Sequence, residues 1–482
     1  MVTQFVADVS SARGLAPEDR ALVRDLTRVW ERHVERNWLR EGYYSMHMAP
    51  RDLGISVPPN LASLEQVIGW PAKAVTALAD RSQFDGFVCD DEDASATLSA
   101  LVSGNGLKAY YRRAVRDELK LCCSFLAVTA GDTSAGEPEC VVTAYPATSA
   151  AGIWDWRLKR IRAGLVVVDR DPRPGSGNPP TWVDVFTDEN VIQVVRTRWG
   201  WEANYVPHSM GRCLMEPMAY DSTIDRPFGR SRISRAVMNI TDDAMRSSVR
   251  SEVSAEFFTS PQKFLLGADS ESLGGRSKWD AYIGKIFAVG KDEDGDVPSF
   301  GQLTQGSMQP HIDYMRSLAA RFSGETNVPM SELGVVSDNP SSAEAIYAAK
   351  EPLVVEAQNL NADNGEALRN VALMALAIHE GTGFAEQRDR GLTLQPRFRN
   401  PAMPSIVSQA DAMTKMIAAL PWLADSDVAL EEFGFTDEQI QRLRSDRTRH
   451  QSRALVAQAS MGTELGIPSN PSVAQGEKGV QA

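Results

Sequence analysis

The sequence predicts an α+β chain, on three observations. From Leu119 to Arg198 it is rich in Val, Thr and aromatic residues cut by turn residues, the mark of antiparallel strands. On both sides of that block, apolar residues recur every three or four positions, the mark of helices buried along one face. The longest such stretch follows Asn339-Pro340, where Ile346, Ala349, Leu353, Ala357, Leu360, Leu368, Val371, Ala375 and Ile378 share one face. A helix from Ser342 to Glu380 would be roughly 58 Å long.

In chain order, the first helix runs from about Pro17 to Trp38. Pro17 suits a first helical position, and Glu18 and Asp19 complement the positive helix start. Its buried stripe is Leu22, Leu26, Val29 and Trp30. Glu41-Gly42-Tyr43-Tyr44 opens a turn and Pro58-Pro59 is a linker. Further helix is predicted from Leu61 to Ala79 and from Ala94 through Tyr111 onward. Strands are predicted at Leu121–Ala130, Cys140–Tyr145, Gly164–Asp169, Thr181–Thr187 and Asn190–Arg198. Pro227-Phe228-Gly229-Arg230-Ser231 then introduces a helix with Ile233, Val237, Ile240 and Ala244 on one face, continuing to Phe258. That segment does not complete G-x-S-x-G, which argues against a hydrolase elbow.

Short strands are expected at Phe264–Gly267 and Ile286–Gly290. Asp292-Glu293-Asp294-Gly295-Asp296 resembles the start of a calcium loop, but Leu303 stands where the closing Glu belongs, so a solvated turn is expected. Met308 to Phe322 is helical, with Ile312, Met315, Leu318 and Phe322 on one face. Ser341 and Glu344 form a capping box for the long helix, and Pro352 inside it predicts a kink. Leu392–Arg399 reads as a strand, followed by helices at Ser405–Leu420, Asp427–Phe433 and Thr436 to about Leu455. The last twenty or so residues lack periodicity and are expected to be disordered.

Lysines and arginines number 50 against 63 acidic residues, a net charge of −13. Tight nucleic-acid binding needs clustered Lys and Arg, so the balance speaks against a typical nucleic-acid binder. The five cysteines form no C-x-x-C pair, which excludes a zinc knuckle or disulfide framework and fits a reducing, intracellular folding site. No segment has the form of a signal peptide, and no apolar run has the length of a membrane span. There is no G-x-x-x-x-G-K-[ST], and the six histidines are scattered without H-E-x-x-H. No catalytic residue, metal or cofactor is therefore expected.

The segment Pro329-Met330-Ser331-Glu332-Leu333-Gly334, then Asn339-Pro340-Ser341-Ser342-Ala343-Glu344-Ala345-Ile346 and a long kinked helix, resembles the portal proteins of tailed bacteriophages. The order of the other elements and the Tyr43-Tyr44 and Gly229-x-Ser231 segments extend the resemblance over most of the chain. It implies a wing at 1–225, a first stem helix at 226–259, a small β-containing clip at 260–307 and a second stem helix at 308–324. A tunnel loop at 325–341, a long kinked helix with a returning wing strand at 342–400, a helical crown at 401–460 and a tail at 461–482 complete it. It implies a ring, of twelve subunits, at one vertex of the virion, assembled in the host cytoplasm. Double-stranded DNA would be driven through that ring by a separate terminase motor and later ejected. The implied partners are the major capsid protein, scaffold, terminase large subunit and head-tail adaptor, with no membrane.

Within that frame Val335, Val336, Ser337, Asp338 and Asn339 are the tunnel-loop residues facing DNA. Glu344, Lys350, Glu351 and Glu356 are channel-lining candidates, and Lys285 and Lys291 are clip contacts for the motor or adaptor. The competing reading is another structural virion protein, a connector or minor head protein with no DNA channel. A soluble metabolic enzyme is a third. Between 342 and 380 six acids (Glu344, Glu351, Glu356, Asp363, Glu366, Glu380) face Lys350 and Arg369. Such a wall would repel phosphate and let DNA slide, so weak duplex binding with a shallow salt dependence and no ATP hydrolysis are expected.

Overall fold

A computed structural model describes residues 9–49, 66–173, 177–259, 263–266, 299–302, 306–335, 343–402, 406–426, 429–430, 433, 435 and 437–463. The chain divides into two compact units, Met1–Ala402 and Met403–Ala482.

The first unit begins with α1 (Asp19–Tyr44), longer than predicted, and α2 (Trp70–Ala79). Of the helix expected at Leu61–Ala79, Trp70–Ala79 is helical, Gln66–Gly69 are not, and 61–65 lie outside the described residues. Pro71 explains the start, because its ring would clash with the preceding turn of a longer helix. Strand β1 (Phe84–Cys89) was not foreseen. The third and fourth helical regions expected from Ala94 onward are α3 (Glu92–Gly104) and α4 (Leu107–Leu121). Asp91 caps α3 by accepting from the Ala94 amide, and Gly106 turns the chain between them at φ +56°.

The strand block holds β2 (Cys123–Ala130), β3 (Cys140–Pro146), β4 (Ala150–Asp155), β5 (Arg160–Arg170), β6 (Pro180–Phe186), β7 (Asn190–Thr197), β8 (Gly200–Pro207) and β9 (Met215–Ala219). β4 to β8 form one antiparallel meander, and β3-β2-β9 form a separate three-stranded sheet. Along β6, and along β5 from Ala163 onward, the side chains alternate as a two-residue period requires, and a register shift between Ala163 and Ile161 turns Ile161 to the other face. Ala163, Leu165, Val167, Val183 and Val185 pack under Val23, Leu26 and Trp30 of α1. Ile161, Val166 and Phe186 join the larger core instead. At Gly164 the two sheets come so close that a Cβ would stand 2.3 Å from Met215 Cε.

The remainder of the unit is α5 (Arg235–Thr259), the antiparallel pair β10 (Lys263–Leu266) and β11 (Ser299–Gln302), α6 (Gln309–Thr326), α7 (Ala343–Glu380), α8 (Phe384–Asp389) and β12 (Leu394–Phe398). α7 carries the largest apolar load, with Leu353, Ala357, Leu360, Leu368, Val371 and Ala375 all buried as their spacing predicts. β12 returns to pair antiparallel with β1, Phe398 opposite Phe84 and Leu394 opposite Cys89. The expected strand Ile286–Gly290, the acidic turn 292–296 and the cap at Ser341 lie outside the described residues.

The second unit contains α9 (Ile406–Ala419), a short 3-10 turn at Pro421–Asp425 and α10 (Asp437–Thr463). Its small core is Met413, Leu423 and Ala429, with Phe433 against them. Of the helix expected at Asp427–Phe433, Ala429 and Leu430 are helical and most of the rest lies outside the described residues.

Candidate functional site

The segment 229–234 shows how local sequence builds the central junction. Gly229 sits at φ +64°, and a Cβ there would meet the Tyr220 carbonyl oxygen at 2.1 Å. Only glycine combines that left-handed backbone with that approach. Ser231 Oγ donates to the Lys120 carbonyl at 2.6 Å and accepts from the Ile233 amide at 3.0 Å. The Arg232 amide donates to the Leu119 carbonyl at 2.8 Å. The segment is thus pinned to the end of α4, and Ser234 Oγ then caps α5 by accepting from the Val237 amide at 3.2 Å. Replacing Gly229 with Ala should destabilise the first unit by about 2–3 kcal/mol, from positive-φ strain and the backbone clash. Urea or thermal unfolding checks this, and a loss below 0.5 kcal/mol would mean that the turn relaxes.

This pinning sends the Arg232 side chain, only 3% exposed, into a space between four elements. Its Nε donates to the Ala74 carbonyl of α2 at 2.6 Å, and Nη1 donates to the Tyr220 hydroxyl at 2.9 Å. Nη1 also pairs with Glu356 Oε1 of α7, and Nη2 donates to the Thr326 carbonyl at the end of α6. Tyr220 donates its hydroxyl hydrogen to Glu356, and Asn327 Nδ2 donates to Glu356 Oε2 at 3.2 Å. One guanidinium therefore ties the end of α6 and the front of α7 to the body of the unit. After α6, Asn327 turns at φ +54°, Val328 is fully buried, and Met330–Leu333 forms one 3-10 turn. Lys73 Nζ holds Glu332 at 2.9 Å, and Val335 rests against the core. The front half of the predicted tunnel loop is thus anchored.

Further along α7, polar side chains fasten it in sequence. Asn361 Oδ1 accepts from Ser82 Oγ at 2.6 Å, and Ser82 meets the Tyr111 hydroxyl at 2.8 Å. Asn364 Nδ2 donates to Glu118 Oε2 at 2.8 Å inside the core. Burial pushes the Glu118 carboxyl up to about 8. Asn370 Nδ2 donates to Glu216 at 3.2 Å, and Glu216 pairs with buried Arg212, whose guanidinium lies 4.1 Å from the Phe384 ring centre. Burial also raises the Glu216 carboxyl, although Arg212 opposes the shift.

Of the channel-lining candidates, Glu351 is exposed, Lys350 is half-buried and the Glu344 side chain lies outside the described residues. Glu356 is engaged by Arg232, Tyr220 and Asn327, and Glu380 pairs with Arg390. The acidic surplus of 342–380 is therefore smaller than the sequence count suggests, because Arg232 and Arg390, both outside that stretch, pair with two of the six acids. Val336, Ser337, Asp338, Asn339, Lys285 and Lys291 lie outside the described residues. Sequence reasoning missed Arg232 and Glu118 as core groups. A usable signal existed for the acids: Glu118 stands in register with Leu107, Tyr111 and Ala114, and Glu356 sits beside Leu353, Ala357 and Leu360. Polar residues within a buried stripe signal buried partners.

Among the described residues no three His, Cys, Asp or Glu side chains gather as a metal site, and no helix is long and apolar enough to cross a membrane. The junction is a set of structural ties between elements of the first unit. The chain belongs to the family described as "Phage portal protein, SPP1 Gp6-like", whose pattern it matches over residues 30–452. Portal proteins are structural proteins of the bacteriophage virion. The portal protein of Mycobacterium phage L5 is 24% identical over 440 residues, covering 89% of this chain and 88% of that protein. That of Mycobacterium phage D29 is 24% identical over 439 residues, covering 88% of each. A chain from the virion of a native gene transfer agent particle aligns at a TM-score of 0.42 and 12% identity, covering 87% of this chain and 95% of that one. One from the neck of the empty particle aligns at 0.43 and 13%, covering 78% and 93%.

Proposed function

We propose that copies of this chain close into a ring, of twelve subunits, around a channel for double-stranded DNA at one capsid vertex. The family match across 30–452 carries this reading. In it, residues 1–225 are the wing, α5 and α6 the stem, 260–307 the clip, 325–341 the tunnel loop and 401–460 the crown. The element order supports the assignment, because β10 and β11 close an insertion between two helices, and α6 is followed by an anchored 3-10 turn at Met330–Leu333 and then, in chain order, by α7. Exposed Ile312 and Tyr314 on α6, and Ile346, Tyr347 and Val355 on α7, support burial against a neighbouring copy. Glu344, Lys350 and Glu351 would then lie toward the channel, with Val336 to Asn339 at its narrowest point. The clip, through Lys285 and Lys291, would meet the terminase large subunit and then the head-tail adaptor. Scaffold and major capsid protein would bind the outside of the ring.

Electron microscopy of the purified protein should show rings with a central hole. Monomer alone across a wide concentration range, with and without scaffold, would overturn the reading. Asp338→Lys together with Asn339→Trp should leave rings assembled and lower packaged DNA at least tenfold. Normal packaging by that variant would remove the loop from the mechanism.

A further inference from the structure

The acidic chain carries a strongly basic stretch in the body of α10. Between Gln439 and Arg453 stand Arg442, Arg444, Arg447, Arg449 and Arg453, against the single acid Asp446. Of these fifteen side chains Ile440 is buried and every other is exposed. A helix that is polar all round has no core to bury against and calls for another source of order. The Arg449–Asp446 pair, 3.6 Å apart with both side chains 71% exposed, contributes little to that order. A second copy of the helix is a poor occupant. The positions a coiled coil would bury continue Ile440, Leu443, Arg447, His450, so the apolar seam stops after one turn.

We propose that this stretch of α10 binds the phosphate backbone of double-stranded DNA without reading sequence. At 100° per residue, Arg442, Arg449 and Arg453 fall on one side of the helix, spanning about 16 Å, and Arg444 and Arg447 fall on the opposite side. An acidic protein segment would need one basic side. A duplex groove presents phosphates on both flanks of an inserted helix, and the major groove, about 12 Å wide, admits a helix about 10–12 Å across. Arginine alone, with no lysine in the stretch, suits bidentate contacts to phosphate oxygens. This surface would add, to the weak duplex binding with a shallow salt dependence expected from the acidic stretch 342–380, a salt-dependent contact localised to one helix.

The test is fluorescence anisotropy of a labelled 30-base-pair duplex with the full-length protein, titrated at salt from 50 to 200 mM. Arg442→Glu, Arg449→Glu and Arg453→Glu together remove at least three phosphate contacts. The wild type should therefore lose about 40-fold more affinity across that salt range than the triple variant. A charge-matched control, Arg20→Glu, Arg24→Glu and Arg28→Glu on α1, should keep the wild-type salt dependence. The corresponding Arg→Lys triple variant should bind within about threefold of wild type. If the Glu variant fails to fold by circular dichroism, Arg442→Gln, Arg449→Gln and Arg453→Gln give the same comparison. No duplex binding by the wild type, or equal losses in the α10 and α1 variants, would overturn the proposal. So would a polyglutamate peptide that displaces the duplex at lower charge concentration, since the partner is then an acidic protein. Ring formation is scored separately, so this outcome and that of the channel reading are distinguishable.

Discussion

Arg232→Ala should be among the most damaging single substitutions in the chain. Removing one partner of a buried ion pair strands the other, at a cost of about 3–5 kcal/mol. Here the loss also leaves the Ala74 and Thr326 carbonyls without their donor. For a unit of this size the thermal midpoint should fall by about 4–6 °C. Replacing both ends is gentler than replacing one: Arg232→Met with Glu356→Gln should recover more than half of that loss, because no lone charge remains buried. Calorimetry on the two single variants and the double variant decides it. Strict additivity, or a midpoint within 1 °C of wild type for Arg232→Ala, would show that the guanidinium is not holding the four elements together.

Glu118→Gln should act in the opposite direction, and only at higher pH. Folding raises this carboxyl from its ordinary 4.5 to about 8 through burial. Between those values the folded chain holds a proton that the unfolded chain has released. The stability contributed by this group is complete below about pH 4.5, is lost as pH rises toward 8, and is level beyond, where both states are ionised. Glutamine keeps the shape and the Asn364 contact but has no proton to lose. Its advantage over wild type should therefore be small near pH 5 and grow to about 2–4 kcal/mol by pH 8.5. Thermal melts at pH 5.5, 7.0 and 8.5 measure the growth. Parallel curves for the two proteins would mean that Glu118 is already ionised in the folded state.

What the sequence disclosed and what it hid follow one physical division. Elements whose signal is local periodicity were legible: α7 was read with its buried face, α5 and α6 nearly to their ends, and five strands of the central block within a few residues. β4 and β8 were hidden because Ala150–Asp155 has no β-branched run and Gly200–Pro207 carries Glu, Asn and Gly among its aromatics. β1 was hidden because Asp85-Gly86 inside Phe84–Cys89 reads as a turn, and its partner β12 lies some three hundred residues away. The junction was illegible for the same reason. Nothing near position 232 announces that residues 74, 220, 326 and 356 converge on it. Gly229 was noticed as a landmark, but its reason, the Tyr220 carbonyl against its α-carbon, exists only once the chain has folded back.

The pairing of β1 with β12 also sets a clock on synthesis. Phe84 cannot meet Phe398 until the ribosome has added every residue between them. At 5–20 residues per second that takes about 15–60 s. Throughout that interval β1 is a strand edge without its mate, on a chain whose neighbours on the same message are making the same edge. Unpaired edges invite pairing with the wrong copy. If the chain forms the ring proposed above, it spends its first minute exposed to joining its copies in the wrong way, and chaperone capacity during translation becomes part of what sets the yield of correctly folded subunits.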